Sequence, residues 1–292
     1  MSATDSLKKA AAEVQAEIAS RVSREQGGVP TFFDNFLNGV LARLKAAEAV
    51  HGWNARLQVA PNSYAGQAAA ELQWLARFLE TRKDGRLVAY NVRRAEDLTG
   101  RPSDVGELEL LMSQGTTACL SWKGSPLFKT VFDFAILPML LWELKPGSVF
   151  EIGSGTGASA RWIADTLAGF GSNAQVYSVD IKPVGETYPN VRFFAGDCKA
   201  PDSLFNADLL RSAPHPFLVI EDAHVNVHGV LAHVDGFLVK GDYLYVEDSG
   251  SKADELSRFC RHRAERYRVD TRYTDFFGRN ATCAANSIFV RV

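Results

Sequence analysis

The stretch Glu151-Ile152-Gly153-Ser154-Gly155-Thr156-Gly157 decides how this chain folds. Before it runs Ser148-Val149-Phe150, short and apolar. After it comes Ala158-Ser159-Ala160-Arg161-Trp162-Ile163, which opens a helical pattern reaching residue 168. Glycines at alternate positions let the backbone turn tightly and approach a ligand where a Cβ would clash. A strand, a glycine turn and a helix in this order open a doubly wound α/β sheet. In such sheets nucleotides bind beyond the carboxyl end of the first strand.

Working outward, the same rhythm repeats. Strands are expected at 148–152, 175–180, 191–195, 217–220 and 242–247. Helical patterns fall near 158–168, 203–211, 227–238 and 251–264. Strands alternating with helices imply right-handed βαβ units and a parallel sheet covered on both faces. Two late β-rich runs, 266–273 and 287–292, are read as joined by a short loop without a helix, which predicts an antiparallel hairpin ending the sheet. The expected fold is thus α/β, a Rossmann-like, doubly wound, mostly parallel sheet with a terminal antiparallel hairpin, preceded by a helical N-terminal region.

Residues 1–115 form that helical region, and 116–292 the sheet domain. Ala, Glu, Leu, Lys and Arg dominate 7–22, Phe33, Phe36, Leu37, Val40, Leu41 and Leu44 recur at helical spacing, and a third helix covers 65–83 until Asp84-Gly85 stops it. Such stripes serve a core, an oligomer contact or a lid.

Composition narrows the class. In 292 residues, 32 basic and 34 acidic side chains are well mixed, giving a net charge of −2. That lacks the basic face a nucleic-acid partner needs. No apolar run approaches the roughly 20 residues that span a bilayer, and the first residues lack a signal-type apolar core. Four scattered cysteines suggest neither a zinc site nor a disulfide framework. The expectation is a cytoplasmic protein acting on a small molecule, with neither nucleic acid nor membrane as partner.

The glycine run alone leaves the cofactor open, because Gly153-x-Gly155-x-x-Ala158 also satisfies a relaxed NAD fingerprint. Three features favour S-adenosylmethionine. Glu151 stands two residues before the first glycine, placed to meet the cationic methionine end. Asp180 ends the second strand, where a carboxylate accepts bonds from ribose hydroxyls, with Ile181 beside it. Gly196-Asp197-Cys198 follows the third strand, where an acid meets the adenine amine. Acids also simply cap strands and begin turns, but two at the right strand ends make that account hard to sustain. With Gly153, Ser154, Gly155, Gly157 and Glu221, these residues form the candidate cofactor shell. The alternatives are an NAD(P)-dependent oxidoreductase using the same loop, disfavoured by the late hairpin and the lack of a downstream Tyr-x-x-x-Lys pair, and a non-catalytic binding protein that retains the fold.

Acid clusters end the fourth and fifth strands: Glu221-Asp222-Ala223-His224 and Glu247-Asp248-Ser249. Carboxylates gathered on one rim suit Mg²⁺, which orients a substrate oxygen and lowers its pKa. The candidate metal ligands are Asp222, Glu247 and Asp248, and the candidate catalytic residues are His224, as general base, and Asp222. Asp248 and Ser249 also suit a helix cap, and His228 and His233 are read as a polar helix face. By position, Tyr64, Trp122 and residues 273–286 are candidates to line the acceptor pocket.

Three stretches carry a resemblance over residues 121–292. The first is Trp122-x-Gly124-x-Pro126-Leu127-x-Lys129, with Asp133 and then Leu141-Trp142-Glu143-x-x-Pro146. The second runs from Glu151-Ile152-Gly153 through Asp180-Ile181 to His224-x-x-x-His228 and Val246-Glu247-Asp248. The third is Gly278-x-Asn280-x-Thr282-x-x-x-Asn286. Together they resemble the cephalosporin-hydroxylase-like family of methyltransferases, found in antibiotic and other natural-product pathways. The resemblance implies magnesium-assisted methyl transfer to a small molecule by a Rossmann-like domain, often in a homo-oligomer. One position departs from it: the family places Asp-x-Asp-His after the fourth strand, with the second Asp on the metal, and here that position is Ala223. Either Asp222 or Glu221 takes over as ligand, or the metal is absent. Since a carboxylate acceptor needs no base, both carboxyl and hydroxyl O-methylation fit the pattern.

Overall fold

In the computed structural model the described residues are 85–99 and 102–292, together with helical positions 12, 16, 39 and 42. The helices expected over 7–22 and 65–83, the Phe33–Leu44 stripe and Tyr64 otherwise lie outside the described residues. By compactness the chain divides into Met1–Lys83 and Asp84–Val292. The boundary expected at 115/116 therefore falls inside the second unit.

That unit is built on one eight-stranded sheet. Its strands are β1 (Leu87–Val88), β4 (Ser148–Ile152), β5 (Gln175–Asp180), β6 (Val191–Ala195), β7 (Phe217–Glu221), β8 (Tyr243–Val246), β9 (Tyr267–Asp270) and β10 (Ile288–Arg291). The spatial order is β1-β9-β10-β8-β7-β4-β5-β6. A small hairpin, β2 (Ser121–Trp122) with β3 (Ser125–Pro126), stands apart from it. The helices are α1 (Tyr90–Thr99), α2 (Glu107–Met112), α3 (Val131–Leu144), α4 (Ala158–Gly169), α5 (Ala207–Ser212), α6 (Val227–Asp235), α7 (Ala253–Arg261) and α8 (Thr271–Thr274).

β4 is buried along its whole length and pairs in parallel with β5 on one side and β7 on the other. A strand covered on both faces reads as a continuous apolar run. Its side chains still alternate. Phe150 and Ile152 join one core with Val230 and Leu231 of α6 and Leu256 and Phe259 of α7. Val149 joins the opposite core with Ile136 and Leu140 of α3 and Ile163 and Leu167 of α4. Leaving β4 the chain winds outward through β5 and β6, then crosses back to β7. The reversal opens a crevice at the carboxyl end of β4, where α/β sheets bind ligands.

β10 inserts antiparallel between β8 and β9, pairing Phe289 with both Leu244 and Val269. The expected antiparallel pairing is present, but the connection is not a short, helix-free loop. β9 runs into the one-turn helix α8, whose N-cap Asp270 accepts from the Arg272 amide, and residues 275–287 follow without a strand. The β-rich reading of 271–273 missed this because Asp270 ends the strand by capping a turn, a local preference that overrides β propensity. β1 adds an edge strand on β9, a two-residue pairing too short to show in the sequence pattern. The irregular 275–287 segment is fixed from α1: buried Arg93 donates to Asp275 at 2.7 and 2.9 Å, to Asn286 at 2.7 Å and to Asn280 at 3.1 Å.

Candidate active site at the carboxyl end of the sheet

A cavity of about 530 Å³ occupies the crevice beyond β4. Gly153 to Thr156 form one wall, and Asp180, Ile181 and Gly196 to Lys199 another. Leu127 to Lys129, Asp222 to Val225 and Asp248 complete it. The glycine loop is drawn against its neighbours: the Gly153 amide donates to the Val179 carbonyl and the Asp222 amide to the Ile152 carbonyl, both at 2.8 Å. At Gly153 (φ +104°) a Cβ would lie 2.8 Å from the Asp222 carbonyl and 2.9 Å from the Ala223 nitrogen. Only glycine lets the acidic end of β7 come this close to the loop.

Ser154, Gly155, Asp180, Ile181, Asp197 and Cys198 all line this cavity. One Asp180 oxygen accepts from the Gly155 amide at 3.0 Å and the other from the Lys182 amide at 3.1 Å. Asp197 uses one oxygen on the Lys199 amide at 2.9 Å. Burial pushes the Cys198 thiol up to about 11, so it stands as a neutral wall. Gly157 is the αL N-cap of α4, at the base of the loop.

Glu151 lies beneath the loop, fully buried. Ser178 donates to its Oε2 at 2.5 Å, whereas its Oε1 makes no hydrogen bond of good geometry, and neither does the Ser159 hydroxyl next to it on the cavity wall. Burial raises the Glu151 pKa, with Lys129 and the serines opposing. An orphaned carboxylate oxygen under the loop is a place for a cationic group to complete.

Glu221 does not line the cavity. Its Oε1 accepts from the Ala223 and His224 amides at 3.0 and 3.1 Å, and its Oε2 pairs with Lys252 at 2.7 Å. It shapes the loop that carries the residues after it. On that loop His224 adopts φ +58°, as Asp248 does at +46° on the next strand end. Left-handed non-glycine residues of this kind concentrate at functional loops. The two meet: His224 Nε2 lies 3.4 Å from Asp222 Oδ1 and 3.5 Å from Asp248 Oδ2. Burial, and then the Asp222 charge, raise the pKa of Asp248.

Of the residues expected on a metal, Asp222 and Asp248 converge with His224, their ligand atoms all within 4.8 Å of one another. Glu247 does not join them. Both its oxygens lie 2.6 Å from the Lys129 ammonium, which also reaches Asp222 at 3.0 Å. Lys129 is a site residue that the motif pattern leaves without a role. The available signal was a lone lysine within an apolar Pro-Leu-Phe run, which burial among acids explains. His228 and His233 stay on α6 away from the cavity, His233 meeting Asp202 at 3.0 Å. Trp122 clips the β2–β3 hairpin to α4 by donating to Asp165 at 2.7 Å.

A second cavity of about 520 Å³ adjoins the first, sharing Gln114 and Asp248. Tyr90, Val105, Leu110, Ser249, Thr282 and Ala285 are among its lining residues, so part of the 273–286 segment does face a pocket.

A glycine cradle at the switch point of a sheet closed by an inserted antiparallel strand defines the class I methyltransferase architecture. The sequence model of the family described as Rhamnosyl O-methyltransferase/CmcI matches residues 114–263, and the chain belongs to that family. It is similar to the Rhamnosyl O-methyltransferase of Mycobacterium leprae (strain TN), 31% identical over 137 residues, covering 44% of this chain and 60% of the relative. The enzyme of the same name from Mycobacterium tuberculosis (strain ATCC 25618 / H37Rv) is 29% identical over 138 residues, covering 44% and 56%. The chain thus spans about 60% or less of the length of these curated relatives. Among solved structures, CmcI with Mg and SAM superposes with TM-score 0.52 at 25% identity, covering 59% of this chain and 76% of that one. An apo structure of CmcI gives 0.53 at 24%, covering 61% and 78%. Among the described residues no helix is long and apolar enough to cross a membrane.

Proposed function

We propose that this protein transfers a methyl group from S-adenosylmethionine to an oxygen of a small-molecule acceptor. The observation that carries the reading is the placement of His224, between Asp222 and Asp248, on the wall of the glycine-loop cavity and next to the second cavity. Family membership and the SAM of the CmcI neighbour support the cofactor. When bound, S-adenosylmethionine supplies an electrophilic methyl group on a sulfonium. Asp180 would accept from the ribose hydroxyls, and the methionine ammonium would be held by Ser159 on the cavity wall with the unpartnered Oε1 of Glu151 buried behind it. Holding donor and acceptor in line is a large effect for a bimolecular step.

The acceptor occupies the second cavity, with its reactive oxygen toward Asp248 and His224. Asp222, Asp248 and Glu247 outnumber Lys129 at the rim, where Lys252 is paired with Glu221, and Glu107 adds charge against Arg94 in the second cavity, where Asp97 is paired with Arg279. Such a surface repels a carboxylate, so a hydroxyl acceptor fits better than a carboxyl one. His224 takes the hydroxyl proton, and the flanking carboxylates hold the resulting imidazolium. The CmcI neighbour is a complex with Mg. A divalent cation here would be held by Asp222, His224 and Asp248 and would lower the acceptor pKa, and His224 would then be a ligand and not the base. A homo-oligomer in natural-product biosynthesis is the setting the resemblance implies. The α2 helix, with no buried residue and with Leu108, Leu111 and Met112 exposed, supports an association surface.

The test is transfer of labelled methyl from S-adenosylmethionine to a panel of glycosides and matched carboxylic acids, with wild type and His224→Ala. Products from glycosides that vanish in the variant, with cofactor affinity retained, are expected. Products from carboxylic acids alone, or turnover unchanged across pH in the variant, would overturn the hydroxyl reading or the base role respectively.

A further inference from the structure

The buried ammonium of Lys129 gives the acidic rim a cation of its own. Its side chain is 2% exposed, and it contacts both oxygens of Glu247 and one of Asp222. Glu247 is as deeply buried. Two carboxylates within 3.0 Å compensate the buried ammonium. The other buried lysine near the rim, Lys252, is committed to Glu221. The rim therefore holds three carboxylates, Asp222, Glu247 and Asp248, of which Lys129 engages two. Ala223 adds no donor where the resembling family has an acid.

A divalent ion approaching this rim meets a depleted set. Glu247 has both oxygens on the ammonium, Asp222 has one there and the other beside His224, and of the three Asp248 alone has no contact with Lys129. Affinity of oxygen-ligand sites follows the number of charged ligands, and a fixed positive charge among those ligands opposes a second one.

We propose that Lys129 is the resident cation of this site and, by occupying Glu247 and Asp222, limits how tightly a divalent ion can be held there. The inference concerns charge balance in the ligand-free protein, so it stands or falls separately from the methyl-transfer reading. Lys129 acts as a positioning residue for Glu247 and Asp222. Catalysis then leans on the His224 imidazole more than on a tightly held metal.

The experiment is titration of chelator-treated protein with Mn²⁺, following the electron paramagnetic resonance signal of free Mn²⁺. Mn²⁺ is chosen because it shares the oxygen-ligand preference of Mg²⁺. Wild type is expected to bind with a Kd on the order of 10⁻³ M, the weak end of oxygen-ligand sites. Lys129→Met frees both acids and should bind at least about tenfold more tightly, whereas Lys129→Arg keeps the charge and should match wild type. Ala223→Asp adds a carboxylate without touching Lys129 and should also tighten binding at least about tenfold. Lys129→Gln, which drops the charge but keeps a hydrogen-bond donor to the acids, should also bind more tightly and keeps the test decisive if Lys129→Met fails to fold, as judged by circular dichroism. Micromolar binding by wild type, or a folded Lys129→Met that binds no tighter, would overturn the proposal.

Discussion

Replacing Gly155 by alanine separates what the loop does for folding from what it does for the cofactor. Gly155 sits at φ +48°, and a Cβ built on it meets no protein atom within 4 Å. The cost to the ligand-free protein is then only that of holding an L-residue in the left-handed region, about 1–2 kcal/mol. For a unit of this size that lowers Tm by roughly 2–8 °C. Because Gly155 lines the cofactor cavity, the new methyl group enters space a bound cofactor needs. Forcing a methyl into a packed contact costs about 1–3 kcal/mol, which weakens Kd roughly 5- to 150-fold. Gly171, at the end of α4 with φ +77° and equally open surroundings, is not part of that cavity. Gly171→Ala should lose similar stability and keep full affinity. Calorimetric titration with S-adenosylmethionine, alongside thermal melts, reads both quantities. If Gly155→Ala binds within twofold of wild type, the loop is not in contact with the cofactor and the cradle assignment fails.

Two further outcomes follow from buried charges. Burial raises the pKa of Glu151 above its unfolded value. The associated stability is thus full at low pH and is lost as pH rises through the folded pKa. Glu151→Gln should flatten that decline in pH-dependent melts while weakening S-adenosylmethionine and S-adenosylhomocysteine by similar factors, since both carry the methionine ammonium. A loss confined to the sulfonium form would place Glu151 elsewhere. Asp235 behaves oppositely: burial alone would raise its pKa, but the Tyr267 hydroxyl, Arg263 and Arg291 outweigh it and lower it. Its stabilisation is present above the unfolded carboxylate pKa and fades as pH falls through the folded one. Asp235→Asn should cost about 2 kcal/mol near pH 7, allowing for the partly exposed arginines, and the difference from wild type should shrink in urea melts at acid pH. A constant difference across pH would remove the ionic account.

What the sequence revealed follows the range of the interactions involved. β4, β5 and β6 fall on the residues expected, because each writes itself as a short apolar run bounded by turn residues, β4 and β5 buried and β6 at the sheet edge. The glycine loop was legible for the same reason, as was its closeness to Asp180 and Asp197. The Glu247 side chain was not: its neighbour in space is Lys129, 118 residues away, and no local pattern records a pair at that separation. Asp133 hides likewise, buried in α3 and receiving hydrogen bonds from Tyr245 at 2.5 Å, from Thr282 and from the Cys283 amide at 3.0 Å. Glu221 looked like a site acid because it ends a strand, yet its oxygens serve two backbone amides and Lys252. Acids at strand ends were thus easy to find and hard to sort, because their direction is set by partners distant in sequence.

The most direct test of the central claim is calorimetric titration of the wild-type protein with S-adenosylmethionine and, in parallel, with NAD. The account predicts micromolar, one-to-one binding of S-adenosylmethionine and no heat from NAD. Binding of NAD with no response to S-adenosylmethionine would contradict it and make the Gly153–Gly157 loop a dinucleotide fingerprint.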